Sequence, residues 1–126
     1  MKTVTIAILT ALAVISCKKK DDVESELYGT YKLIETLADP GDGSGTFQPV
    51  SSDKTVTLYN DGTITSNGEL CRLNTETGTS TAGTYSFTDS TISSSDCTTF
   101  GFELSGNTLI LNYQCIEACR GKFLKQ

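Results

Sequence analysis

From residue 28 onward, apolar and polar residues alternate in short runs separated by turn formers, the pattern of half-buried β-strands. Leu109, Leu111, Tyr113 and Cys115 share one face of a run whose other face carries Ile110 and Asn112. Phe100, Phe102 and Leu104 alternate with Gly101 and Glu103, while Val56 with Leu58, Tyr85 with Phe87, and Phe123 with Cys119 give each remaining run one apolar face. The predicted strands are 28–35, 54–59, 63–72, 80–87, 91–94, 99–104, 108–114 and 120–124. Asn60-Asp61-Gly62 and Gly106-Asn107 supply residues that tolerate positive φ at two of the turns, and Thr88-Asp89-Ser90 suits a third. Asn67-Gly68 marks a bulge or break inside the third strand.

All but the first of these connections have hairpin length, so sequence neighbours should be spatial neighbours. Eight such strands with one apolar face each predict an all-β domain over 27–126, an up-and-down antiparallel eight-stranded barrel whose closure removes exposed edges, with a β-sandwich as the alternative. The exception is the 36–53 segment. Its glycines (Gly41, Gly43, Gly45) predict a hinged flap with Phe47 and Val50 pinning the far end at the barrel mouth. Asp39, Asp42 and Ser44 invite a calcium reading, but the D-x-D-x-D-G spacing and the distal glutamate of such loops are missing, so no metal site is assigned.

Ahead of the strands, the pattern changes. Val4 to Ile15 is an almost unbroken apolar run behind a single Lys2, too short to span the ~20 residues of a bilayer core. It has the length and flanks of a secretory signal peptide (1–16). Val14-Ile15-Ser16-Cys17 resembles the lipobox of bacterial lipoproteins, which implies that Cys17 is acylated (palmitate among the chains) and becomes the mature N-terminus. Lys18-Lys19-Lys20-Asp21-Asp22 resembles the export signal of Bacteroidota lipoproteins, which implies an outer-membrane, cell-surface location. Residues 17–26 form a charged tether without aromatics that can bury nothing.

Fifteen acidic residues against ten basic ones leave a net charge of −5 and no basic face for phosphates, so nucleic acid is excluded as a partner. Cys71, Cys97, Cys115 and Cys119 remain once Cys17 is assigned to the anchor. In an exported chain they read as two disulfides with three possible connectivities. Cys115–Cys119 with Cys71–Cys97 is preferred because a three-residue turn brings its flanking strands face to face. The zinc alternative lacks the C-x₂-C knuckle. The chain has no histidine, no G-x-S-x-G elbow and no phosphate-cradling glycine loop, which argues against an enzyme and implies no cofactor. Asp61, Asp89 and Asp96 fall in turns, where aspartate is expected structurally.

Several motifs recur in one order: Gly29-Thr30-Tyr31-Lys32-Leu33, Asp39-Pro40-Gly41-Asp42-Gly43-Ser44-Gly45-Thr46-Phe47, Asp61-Gly62-Thr63, Gly83-Thr84-Tyr85, Gly106-Asn107-Thr108-Leu109 and Gly121-Lys122-Phe123. With the lipobox in front, this order resembles the small lipocalin-like outer-membrane lipoproteins of Bacteroidota. Tyr31 stands where that family has tryptophan, and the resemblance implies a basic cover over it from Arg120 or Lys122; the plainer reading makes Tyr31 a core aromatic. It also implies a small apolar or amphipathic ligand beneath the 36–53 loop, with Phe47, Val50, Tyr85, Phe102 and Tyr113 as contacts. Strands this short can instead fill a barrel with side chains alone. The alternative function is a non-catalytic interaction protein, an envelope-complex subunit or enzyme inhibitor acting through its outer surface.

Overall fold

The structure, a computed structural model, describes residues 24–126. The signal peptide, Cys17 and most of the tether lie outside the described residues. The described chain forms an eight-stranded, all-antiparallel up-and-down barrel with one additional short strand. The elements are β1 Gly29–Ala38, β2 Gln48–Pro49, β3 Thr55–Leu58, β4 Thr63–Ser66, β5 Thr81–Ser86, β6 Thr91–Ser94, β7 Cys97–Ser105, β8 Thr108–Tyr113 and β9 Cys119–Lys125. From β3 to β9 each strand pairs with its sequence neighbour. The ring closes through β1, which pairs with β3 on one side and β9 on the other, from Tyr31↔Lys125 to Ala38↔Cys119.

Two strand ends shift by three residues or more from the periodicity, and one short strand is new. β1 runs on to Ala38 because β9 offers partners that far, with a bulge between Leu33 and Glu35 that sets Glu35 opposite Lys122. β4 stops at Ser66 because Asn67 keeps only one backbone bond of the next rung, its N–H donating to Thr55 O at 3.3 Å. Its side chain accepts from Thr55 N (2.8 Å) and donates to Asp53 O (2.9 Å), replacing strand pairing with side-chain capping. β2 arises inside the predicted flap, where Gln48 and Pro49 pair with Thr36 and Glu35. Two residues with proline among them carry no periodicity.

The interior is solid. Tyr31, Leu33, Val56, Leu58, Ile64, Ile92, Leu109, Leu111 and Phe123 are buried to within 2% of complete. A void admitting a water-sized sphere would leave accessible area on the side chains lining it, and these have almost none. Each such side chain contributes on the order of 1.5–3 kcal/mol through burial. Gly121 makes room for this packing: a Cβ there would stand 2.9 Å from the Phe123 ring and 3.3 Å from that of Tyr113.

The register divides the barrel into two ends. The turns at 59–62, 87–90 and 106–107 gather with residues 24–28 at the end where the chain enters. Gly62 (φ 85°) and Gly106 (φ 57°) adopt there the left-handed backbone that favours glycine. The opposite end carries both long loops, 39–54 and 67–80, and the turns at 95–96 and 114–118. Both disulfides lie at this loop end, Cys71–Cys97 and Cys115–Cys119, the preferred connectivity.

Candidate functional site at the loop end

The five residues expected to surround an apolar ligand are not brought together. Tyr85 and Phe102 belong to an aromatic cluster toward the entry end, where Phe87 stands 5.0 Å from Tyr85 and 6.2 Å from both Phe102 and Tyr28. Tyr113 stacks on Phe100 at 5.7 Å, and both rings are buried. Val50 packs, half-buried, against the core. Phe47 does not pin the flap at the mouth. It lies against the outer wall, its ring centroid 4.2 Å from Lys122 Nζ, and Lys122 also pairs with Glu35. Extended pairing through β2 swings the segment outward along β1.

The register of β9 against β1 decides the cover over Tyr31. Arg120 and Lys122 do not supply it: Lys125 does, 6.0 Å from the ring centroid, with its ammonium donating to Glu26 O. Tyr31 itself is a core aromatic whose hydroxyl donates to Leu27 O at 2.6 Å. β9 reaches the entry end only at its last residues, so only Lys125 can meet the opening of β1.

The Asp39 loop is closed on itself. Asp39 accepts from the backbone N–H of Gly41 (2.7 Å), Gly43 (3.0 Å) and Gly45 (2.8 Å), and Asp42 accepts from Ser44 N (2.9 Å). The bonds to Asp39, led by that from Gly45, hold its carboxyl below the usual carboxylate range, and the Ser44 hydroxyl, followed by the Ser44 N–H, does the same for Asp42. Among the described residues, no group of three or more Cys, Asp or Glu side chains is placed to hold a metal.

The predicted strand does not continue past Ser66: the chain around Leu70 plugs the barrel instead, and residues 75–80 beyond it are exposed. Leu70 is 1% exposed within the core, the adjacent Cys71 is bonded to Cys97, and Thr81 Oγ1 bridges Leu70 N (2.9 Å) and Gly68 O (2.6 Å). Beneath the plug lies Lys54, fully buried. Its Nζ donates to Asn74 Oδ1 (2.8 Å), Arg72 O (3.2 Å) and Asn74 O (3.3 Å). Burial, the larger effect, lowers its pKa to about 8 against the opposing charge of Glu69. The inward position of Lys54 was legible: it keeps the period of Val56 and Leu58, with which it shares a face.

Outside the plug, the two loops meet in an open groove of about 640 Å³. Val50–Asp53 form one wall, Thr75–Thr77 the other, and Lys32 to Ile34 of β1 the floor. Ser52 ties the walls, its hydroxyl donating to Thr75 O (2.7 Å) and accepting from Lys54 N (3.0 Å). Lys32 pairs with Asp53 across the groove at 3.2 Å. The lining is mostly hydroxyls, peptide groups and charges, suited to a hydrogen-bonding ligand. Beyond the groove, the Cys115–Cys119 loop holds Ile116 fully in solvent and is braced by Asp39 N donating to Ala118 O at 2.8 Å.

Comparison with protein-family models, with curated proteins and with solved structures finds no match. The closed eight-stranded antiparallel barrel is consistent with a lipocalin-like fold on its topology alone.

Proposed function

We propose that this chain is a lipid-anchored, non-enzymatic binding protein of the outer-membrane surface that engages its ligand at the loop end of the barrel. The observation that carries the reading is the groove between 50–53 and 75–77, the place where both long loops meet over a filled interior. Its ligand is polar and hydrogen-bonding, since Lys32, Asp53, Ser51, Ser52, Thr75 and Glu76 offer donors and acceptors with little apolar surface. The apolar ligand implied by the resemblance finds no support in the packing of the core.

The anchor fits this orientation. If Cys17 is acylated, the residues from there to Glu24 can extend only ~25 Å. That holds the entry end near the bilayer and turns the loop end outward. A second reading, attachment to an envelope protein, is favoured by Ile116, an aliphatic side chain fully exposed on a disulfide-closed loop.

Native mass spectrometry of the protein extracted from membranes tests the reading. The expected result is a polar adduct on the natural chain that is lost from the Asp53→Lys, Glu76→Lys double variant. A fatty acid or other apolar adduct retained equally by both would overturn it. Cys17→Ala should release the chain from the membrane fraction, and alanine at Asp21 and Asp22 should abolish its cleavage by protease on intact cells.

A further inference from the structure

Lys54 and Asn74 meet in a way that ordinary packing does not require. A lysine side chain is rarely taken fully out of water, and here the three acceptors facing its ammonium are all uncharged. One of them belongs to a side-chain carboxamide, 2.8 Å from the amine. We propose that Lys54 and Asn74 are joined by an intramolecular isopeptide bond that locks the 67–80 plug onto the start of β3.

The chemistry balances without any co-reactant. The lone pair of the neutral Lys54 amine attacks Asn74 Cγ, forming the Nζ–Cγ bond and moving the carbonyl electrons onto Oδ1. Collapse of that tetrahedral centre breaks Cγ–Nδ2 and expels ammonia, which carries away the proton shed by Nζ. No atom changes oxidation state. Two features of the site favour the reaction. Burial favours the unprotonated amine, the nucleophilic form. The two groups are held at hydrogen-bond distance, so the attack is intramolecular and its entropy cost is met by folding. Glu69, exposed, lines the same hollow of about 210 Å³ as Asn74, and its charge works against the neutral amine.

The bond would also serve the architecture. Residues 67–80 cross the mouth without strand pairing, held by Leu70, by one disulfide and by side-chain hydrogen bonds. An amide from Lys54 would complement Cys71–Cys97 with a crosslink that reduction cannot open.

Peptide mapping of the reduced full-length protein tests this. Trypsin should fail to cut after Lys54, and residues 33–72 should appear joined to 73–120 as one branched peptide, lighter than its two parts by one ammonia. Asn74→Ala and Lys54→Arg should each remove the branched species and the mass deficit, and Asn74→Asp should restore the link with loss of water instead. Free 33–54 and 55–72 peptides at full yield from the natural chain would overturn the proposal. So would a deficit that persists in Asn74→Ala. Because the natural chain alone decides the first point, a variant that folds poorly leaves the test intact.

Discussion

Lys122 holds its ammonium 4.2 Å from the centre of the Phe47 ring while pairing with Glu35 on the neighbouring strand. Three segments distant in sequence are joined there on the outer wall: the far side of the Asp39 loop, β1 past its bulge, and β9. The contact explains why a glycine-rich segment with no helix and a two-residue strand follows a defined path.

Phe47→Ala should therefore release the loop without disturbing the barrel. A half-buried ring under an ammonium contributes on the order of 1 kcal/mol beyond its burial. The expected outcome is a small drop in urea stability together with new proteolytic cleavage within 40–47. Cleavage unchanged from the natural chain would show that Asp39's bonds to Gly41, Gly43 and Gly45 suffice.

Leu70 lies in the core although its segment is irregular. Leu70→Ala should cost about 2–5 kcal/mol, the range for a fully buried leucine replaced by alanine. Chemical denaturation measures it. A loss below about 1 kcal/mol would mean that the plug is not part of the cooperative unit.

Removing the Cys71–Cys97 bridge by a double serine substitution should destabilise the domain by ~3 kcal/mol in the chain-entropy account of a loop this long. The sequence separation of Cys115 and Cys119 is only 4, against 26 for the other pair, so the corresponding double substitution there should cost less. Thermal melts of the two variants under oxidising conditions give the order, and the reverse order would contradict the account.

Alkaline pH should unfold the domain through its tyrosines. Burial raises the Tyr31 and Tyr113 hydroxyls, and burial with nearby negative groups pushes Tyr85 up to about 12. The unfolded chain ionises tyrosine near ~10, so it binds fewer protons than the native state above that pH. The stabilisation is complete below pH ~10 and is lost as pH climbs through the folded values. Tyrosinate absorbance should lag the ordinary titration and then rise together with unfolding. A simple titration centred near pH ~10 in the folded protein would refute it.

The alternation of Leu109, Leu111 and Tyr113, of Phe100 and Phe102, and of Val56 and Leu58 determined which side chains turn inward. Hairpin-length turns then determined which strands pair, because a strand of period two has one apolar face and short connections leave one partner. The two disulfides followed from the same reasoning. The site was less legible, because its parts depend on contacts that local pattern does not encode. β2 exists because β1 has a free edge where β3 ends, and that puts Phe47 on the outer wall and opens the groove. Asn67 ends β4 through side-chain bonds that compete with the ladder, turning the following residues into a plug. Lys125, rather than Lys122 or Arg120, meets Tyr31 because barrel closure sets the register of β9. Strand identity was a local property of the chain, whereas the filled mouth, the buried Lys54 and the groove came from how distant loops satisfied one another's polar groups once the ring had closed.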